Sequence, residues 1–165
     1  MGLAHHDMSL ENMMRDGRGG LVVIDWGMVV KVPVTDQGVP VKLASSATWP
    51  CRCGKLLYLA PELLVAAEGG AAFDPFKLDI WALGLMLFIL LTGVPPWGVD
   101  TGPLLGDQRF EYVAGGRVGD LLQAWGIVLS PAAVQLLTAL FAREPADRPT
   151  IAQIRASAWF QRGGR

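Results

Sequence analysis

Asp7, Asn12 and Asp25 all stand within the first 25 residues, the first pair in a stretch without apolar periodicity and the third at the end of the run "LVVID". Five positions separate Asp7 from Asn12, and Trp26 and Gly27 follow Asp25 directly. A hairpin between the two groups would bring three oxygen-bearing side chains together. Hard oxygen ligands suit Mg²⁺, which commonly takes one or two carboxylates together with substrate phosphates, so Asn12 and Asp25 are candidate metal ligands while Asp7 meets a hydroxyl. Short acids and amides also cap helices and set turns, and spacing by itself leaves that reading open.

The elements that must position this trio are short. "MM" at 13–14, "LVVID" at 21–25 and "MVVKV" at 28–32 are β-prone, and the turn-rich "RDGRGG" between the first two is a hairpin signal. From Pro33 to Lys55 periodicity fades while Pro, Gly, Ser and Thr collect, which predicts a long loop. Pro61 is placed to open a helix over "PELLVAAE", and "KLDIWALGLMLFILLTG", apolar nearly all round until Gly93, predicts the central helix of a core. "DQRFEYVAGG", "DLLQAWG", "SPAAVQLLTALFARE" and "TIAQIRASAWFQ" predict shorter helices, with Ser130 and Thr150 as caps and Gly115 and Gly126 as stops. Trp81, Trp97, Trp125 and Trp159 read as core residues. The fold class expected is α+β, mainly helical, in one domain.

Composition narrows the partners. Fourteen Lys and Arg against 15 Asp and Glu give a formal charge of −1, which provides no field for nucleic acid or an anionic membrane. The longest apolar run, Ile80 to Leu91, has 12 residues where a membrane helix needs ~20. Cys51 and Cys53 are poorly spaced for a mutual disulfide and lack a partner set for zinc, so free thiols in a reducing compartment are expected. With no basic, apolar leader at the start, the expected location is the cytoplasm. A hydrophobic content of 52% beside only 18% charge implies a large core or missing partner surface.

The order of motifs adds more. "HHDMSLEN" resembles the catalytic-loop pattern H-R-D-L-x-x-x-N of the eukaryotic protein kinases, "DWG" resembles D-F-G, and "APE" at 60–62 matches A-P-E. Downstream, "DIWALG" resembles the family's D-x-W-x-x-G helix and "ADRPT" carries an arginine near the end of the domain. The resemblance covers essentially the whole chain. It implies a partial kinase C-terminal lobe over 1–165, with short β-hairpins around a catalytic loop at 5–12 and D-W-G at 25–27. The activation segment would span 25–62 and the helical subdomain 63–160. It further implies that Asp7 orients a substrate hydroxyl and accepts its proton, while Asn12 and Asp25 bind Mg²⁺ that bridges ATP phosphates. Glu62 would pair with Arg148 and Asp79 would hold the catalytic-loop backbone, all three substantially buried.

Departures from the pattern matter as well. His6 stands where most of the family carries arginine; a histidine is only partly charged at neutral pH and offers no bidentate fork. His5 is expected to be a packed structural residue, and Ser45, Ser46 and Thr48 are possible phosphate acceptors in the long loop. Serine/threonine kinases usually place lysine two residues after the catalytic aspartate and threonine before A-P-E, whereas this chain has Ser9 and Lys55 there. The residue types are exchanged, and lysine donors with a serine acceptor preserve a cross-loop contact. Independent drift at two exposed sites is the other reading.

Four residues precede His5, so the glycine-rich loop, strand lysine and helix glutamate of the family's N-terminal lobe are expected to be absent. The resulting expectation is a serine/threonine kinase fragment acting on a protein substrate when complete, inactive alone, with a complementing or regulatory protein as partner. A noncatalytic kinase-like binding module is the alternative.

Overall fold

The computed structural model describes residues 2–37, 39–44, 54–63, 72–98 and 106–163. Among the described residues, six short strands form three antiparallel pairs: β1 (Leu3–Ala4) with β4 (Val30–Lys31), β2 (Met13–Arg15) with β3 (Leu21–Val23), and β5 (Leu43–Ala44) with β6 (Ala72–Phe73). The second pair is the hairpin that "RDGRGG" predicts, with Met13 opposite Val23 and Arg15 opposite Leu21. Its turn closes on the Asp16 carboxylate, which accepts from the backbone N–H groups of Arg18 at 2.9 Å and Gly20 at 2.7 Å. Short Asp side chains suit this because they reach backbone two to four residues on.

Two sequence expectations change here. The run 28–32 is a strand only at Val30–Lys31, because Asp25 adopts a left-handed conformation (φ 62°) and leads into a 3₁₀ turn over Trp26–Met28. The stretch from Pro33 to Lys55 is not wholly irregular. Val34 bridges Pro40, and β5 pairs with β6, a partnership some thirty residues distant that local periodicity cannot reveal. The proposed acceptors Ser45, Ser46 and Thr48 and the thiols of Cys51 and Cys53 lie outside the described residues, as does the helix of "PELLVAAE" beyond Leu63.

Helix α1 (Pro75–Thr92) is the centre of the helical part. It begins two residues earlier than the apolar pattern suggests, since the Asp74 carboxylate caps the Phe76 N–H at 2.9 Å and Pro75 occupies the first turn; it ends at Gly93 in the left-handed region, φ 78°. Its 18 residues have the length and apolarity of a membrane span. Half of it is buried within the protein, with Trp81, Leu85 and Phe88 fully so. Around it lie α2 (Gln108–Ala114), α3 (Val118–Ala124), α4 (Pro131–Leu140), α5 (Ile151–Ala156) and α6 (Ala158–Gln161).

Ser130 caps α4, and Thr150 with Gln153 forms a capping box on α5. The predicted last helix is two, because Ser157 leaves helical geometry (ψ 150°) and caps α6 by accepting from Phe160 N–H. Gly126 terminates α3 at φ 67°, whereas after α2 it is Gly116, not Gly115, that takes the left-handed conformation. An aromatic cluster closes the core, with Trp81 5.1 Å from Phe141 and Trp97 5.1 Å from Phe110 between ring centroids. Trp81 and Trp97 are buried as expected, but Trp125 and Trp159 are only half-buried at the margin of the packed residues.

Candidate functional site

Residues 5–12 carry little regular structure of their own, and neighbouring elements fix them. Asp79, in the second turn of α1, accepts from the backbone N–H of His5 at 2.6 Å and of His6 at 2.9 Å. One carboxylate therefore satisfies two consecutive peptides. His6 lies at φ 64°, a strained conformation for a non-glycine residue, and the grip of Asp79 on its N–H is one of the contacts that hold it. Burial raises the Asp79 carboxyl above the usual range, against the lowering effect of those two N–H donors. Burial also lowers His6 to about 4, with neighbouring His5 adding to the shift, so its imidazole is neutral at pH 7. His5 is itself buried, packs edge-on against Trp26 at 4.9 Å, and hydrogen-bonds the Ile24 carbonyl at 3.1 Å.

The β2–β3 hairpin joins the candidate polar groups. Its ladder extends past the strand ends, with Ile24 N–H donating to the Asn12 carbonyl at 2.9 Å, so Asp25 follows directly after the residue tied to Asn12. Asn12 Nδ2 donates to both the Asp7 carbonyl (2.7 Å) and Asp7 Oδ2 (2.8 Å). Two oxygen acceptors on one amide nitrogen fix the orientation of the Asn12 side chain and leave its Oδ1 for another ligand. Asp25 is exposed and uses Oδ1 only for a 3.4 Å contact with Gly27 N–H. An amide oxygen and a lightly used carboxylate are hard donors of the kind that fit Mg²⁺.

Residues 54–58 cover the other side of Asp7. Gly54, at φ 85°, comes so close that an added Cβ would stand 2.9 Å from the His6 carbonyl oxygen and 3.3 Å from Asp7 Oδ1. Lys55 Nζ donates to Ser9 Oγ at 2.7 Å and forms an ion pair with Glu11 at 3.3 Å. The exchanged residue types thus meet, and Ser9 is fully buried rather than an exposed drifting position. The Tyr58 hydroxyl accepts from Leu10 N–H at 3.3 Å, and its ionisation is pushed up by burial. Asp7, Gly54, Lys55, Tyr58 and Asp79 line a small pocket of about 20 Å³.

Glu62 and Arg148 form a fork: Nη1 donates to Oε1 and Nη2 to Oε2, both at 2.6 Å. Arg148 also donates to the carbonyls of Ala142, Lys77 and Arg143, and its guanidinium lies 4.9 Å from the Trp81 ring centre. Of the three charges expected to be buried, only Arg148 is fully so; Glu62 and Asp79 are partly exposed. Asn12 contacts Asp7 and Lys55 contacts Ser9, with Asp7 and Lys55 lining one pocket; Asp25 follows Ile24, which is tied to Asn12, Asp79 holds the backbone of His5 and His6, and Glu62–Arg148 stands apart as a brace. Gly54, Tyr58 and Glu11 were not anticipated. The glycine preceding Lys55 was the one visible signal.

A second, larger cleft of about 540 Å³ is lined by His5 and Asp79 and walled mainly by Trp26, Phe76, Ile80, Leu83 and Ile151. It exposes apolar surface next to α1.

Comparison with known proteins agrees with the motif order. The chain is 30% identical over 162 residues to the serine/threonine-protein kinase PKH3 of Eremothecium gossypii, covering 97% of this chain and 20% of that protein. It is 30% identical over 161 residues to CBL-interacting protein kinase 24 of Oryza sativa subsp. japonica, covering 98% and 30%. Against MAP kinase-interacting serine/threonine-protein kinase 1 of Xenopus tropicalis it is 29% identical over 177 residues, covering 97% and 41%. The chain therefore spans between a fifth and two fifths of the length of these curated relatives. The family model described as "Protein kinase domain" matches residues 1–160, so the chain belongs to the protein kinase domain family.

Proposed function

We propose that these residues form the acceptor and metal side of a protein serine/threonine kinase centre, corresponding to the C-terminal lobe of the family. The observation that carries this reading is the Asn12 amide bonded to Asp7, with Lys55 lining the same pocket as Asp7 and Asp25 next in sequence to Ile24, which the hairpin ties to Asn12. Asp7 orients the serine or threonine hydroxyl of a protein substrate. As that oxygen bonds to the γ-phosphorus of ATP and the bond to the ADP oxygen breaks, its proton passes to the Asp7 carboxylate. Asn12 steadies Asp7 through Oδ2, and the short Gly54 leaves space beside Oδ1. Lys55 supplies positive charge next to the acceptor. Asn12 and Asp25 are the residues that would hold Mg²⁺, which when bound offsets charge on the β- and γ-phosphates.

Positioning and electrostatics dominate phosphoryl transfer. The family's glycine-rich loop and strand lysine are not among these 165 residues, so the 165 residues alone are expected to transfer negligible phosphate. The product of the full coding sequence, tested with ATP, Mg²⁺ and serine/threonine peptides, should transfer phosphate and lose that activity in Asp7→Asn. Nucleotide-independent protein binding with no transfer in either form would favour the noncatalytic module. Robust transfer by the 165 residues alone, abolished by Asp7→Asn, would overturn the expectation of inactivity.

A further inference from the structure

Lys55 reaches the catalytic loop from outside it. Its ammonium has three donors; one goes to the buried Ser9 hydroxyl at 2.7 Å and another faces the Glu11 carboxylate at 3.3 Å. Ser9 and Glu11 lie two and four residues beyond Asp7, on either side of the Leu10 whose N–H is bound by Tyr58. The same five-residue segment, 54–58, therefore touches the loop three times: by glycine contact at His6 and Asp7, by the cation at Ser9 and Glu11, and by a phenol at Leu10. Only the middle contact is ionic.

We propose that Glu11 is a positioning residue: with Ser9 it fixes Lys55 at the pocket that Asp7 also lines, so the cation at the acceptor site is present only while segment 54–58 is docked. The proposal rests on the kinase reading for its catalytic meaning, but the docking itself does not. Segment docking and charge delivery become one event, because the lysine belongs to the docked segment and its two partners belong to the loop. A lysine carried by the catalytic loop would stay beside Asp7 whether or not the segment docked.

Trypsin cleaves after lysine, so Lys55 reports its own release. When opening and closing are fast, cleavage follows the population of the open form. In the 165-residue chain at low salt, Glu11→Gln should raise cleavage after Lys55 roughly two- to five-fold relative to cleavage after exposed Arg162, the range an exposed ion pair allows. Raising salt should increase the wild-type ratio and leave the Glu11→Gln ratio nearly flat. An unchanged cleavage ratio in Glu11→Gln, or a wild-type ratio insensitive to salt, overturns the proposal. Neither readout needs turnover, so salt-sensitive protection beside an inactive product of the full coding sequence removes the kinase reading alone, and an active full-length product with unchanged ratios removes the role of Glu11 alone.

Discussion

Residues 54–62 are fastened at each end by an ion pair, and the two pairs work by different physics. At the Glu62 end the guanidinium of Arg148 is shut away from solvent, its partner side chain is 14% exposed, and three carbonyls take further donors. At the Lys55 end the side chains are 40% and 62% exposed. Losing one partner of a buried pair strands a charge in a poorly solvated place, whereas water replaces a lost exposed partner. The first pair is a brace and the second an adjustable contact. Proximity in sequence has not made them equivalent; burial has separated their roles.

The largest effect should come from breaking the brace. Arg148→Met leaves Glu62 without its fork and the carbonyls of Ala142, Lys77 and Arg143 without that donor, so a loss of ~3–5 kcal/mol is expected in urea unfolding. A loss below 1 kcal/mol would show that the two ends are not so different.

Acid tests the loop that the Lys55 end contacts. His6 is buried and its folded value of about 4 lies below 6.5, so its contribution is complete above 6.5 and drains away as pH falls towards 4. Unfolding between pH 7 and pH 4 should show roughly 2–3 kcal/mol of loss attributable to His6, after discounting for its incomplete burial. Asp79 opposes this at the acid end, because its raised carboxyl contributes most below the ordinary value and loses that contribution as pH rises through the folded one. A His6→Asn protein with the same pH slope as wild type would remove the histidine from the account.

Gly54→Ala should cost roughly 1–3 kcal/mol, since an alanine at φ 85° is strained and its methyl meets the His6 carbonyl. Thermal melting reads the cost, and an unshifted midpoint would mean that the segment moves aside freely. The smallest effect belongs to the exposed pair: a double-mutant cycle of Glu11→Gln with Lys55→Met should return a coupling of about 0.2–1 kcal/mol. A coupling above 2 kcal/mol would erase the contrast between the two ends.

Much of this arrangement was legible in the sequence wherever a residue type has few alternative uses. The hairpin followed from "RDGRGG", the central helix from its unbroken apolar character, and Ser9 with Lys55 from their exchanged chemistry. Contacts that depend on nonlocal geometry were harder to read. Nothing in Leu43 or Ala44 announces a partner at Phe73 and Ala72, and Glu11 looks like any exposed acid until Lys55 arrives from 44 positions away. Ser157 illustrates a different failure, because its helix-compatible surroundings hide a capping role that only the backbone break makes plain.

The two hydrogen bonds from His5 and His6 to Asp79 also decide where the chain tolerates a change of length. Each added residue in an α-helix turns everything beyond it by about 100°. A single insertion between Asp74 and Asp79 would therefore swing the carboxylate away from both peptides, and Asp7 would lose its fixed reference. An insertion into the exposed turn at 16–20 would lengthen only the tip of a hairpin whose paired residues stay in register. Length variation should thus accumulate at the turn and be purged from the first turns of the helix, even though neither place contributes an atom to the reacting groups.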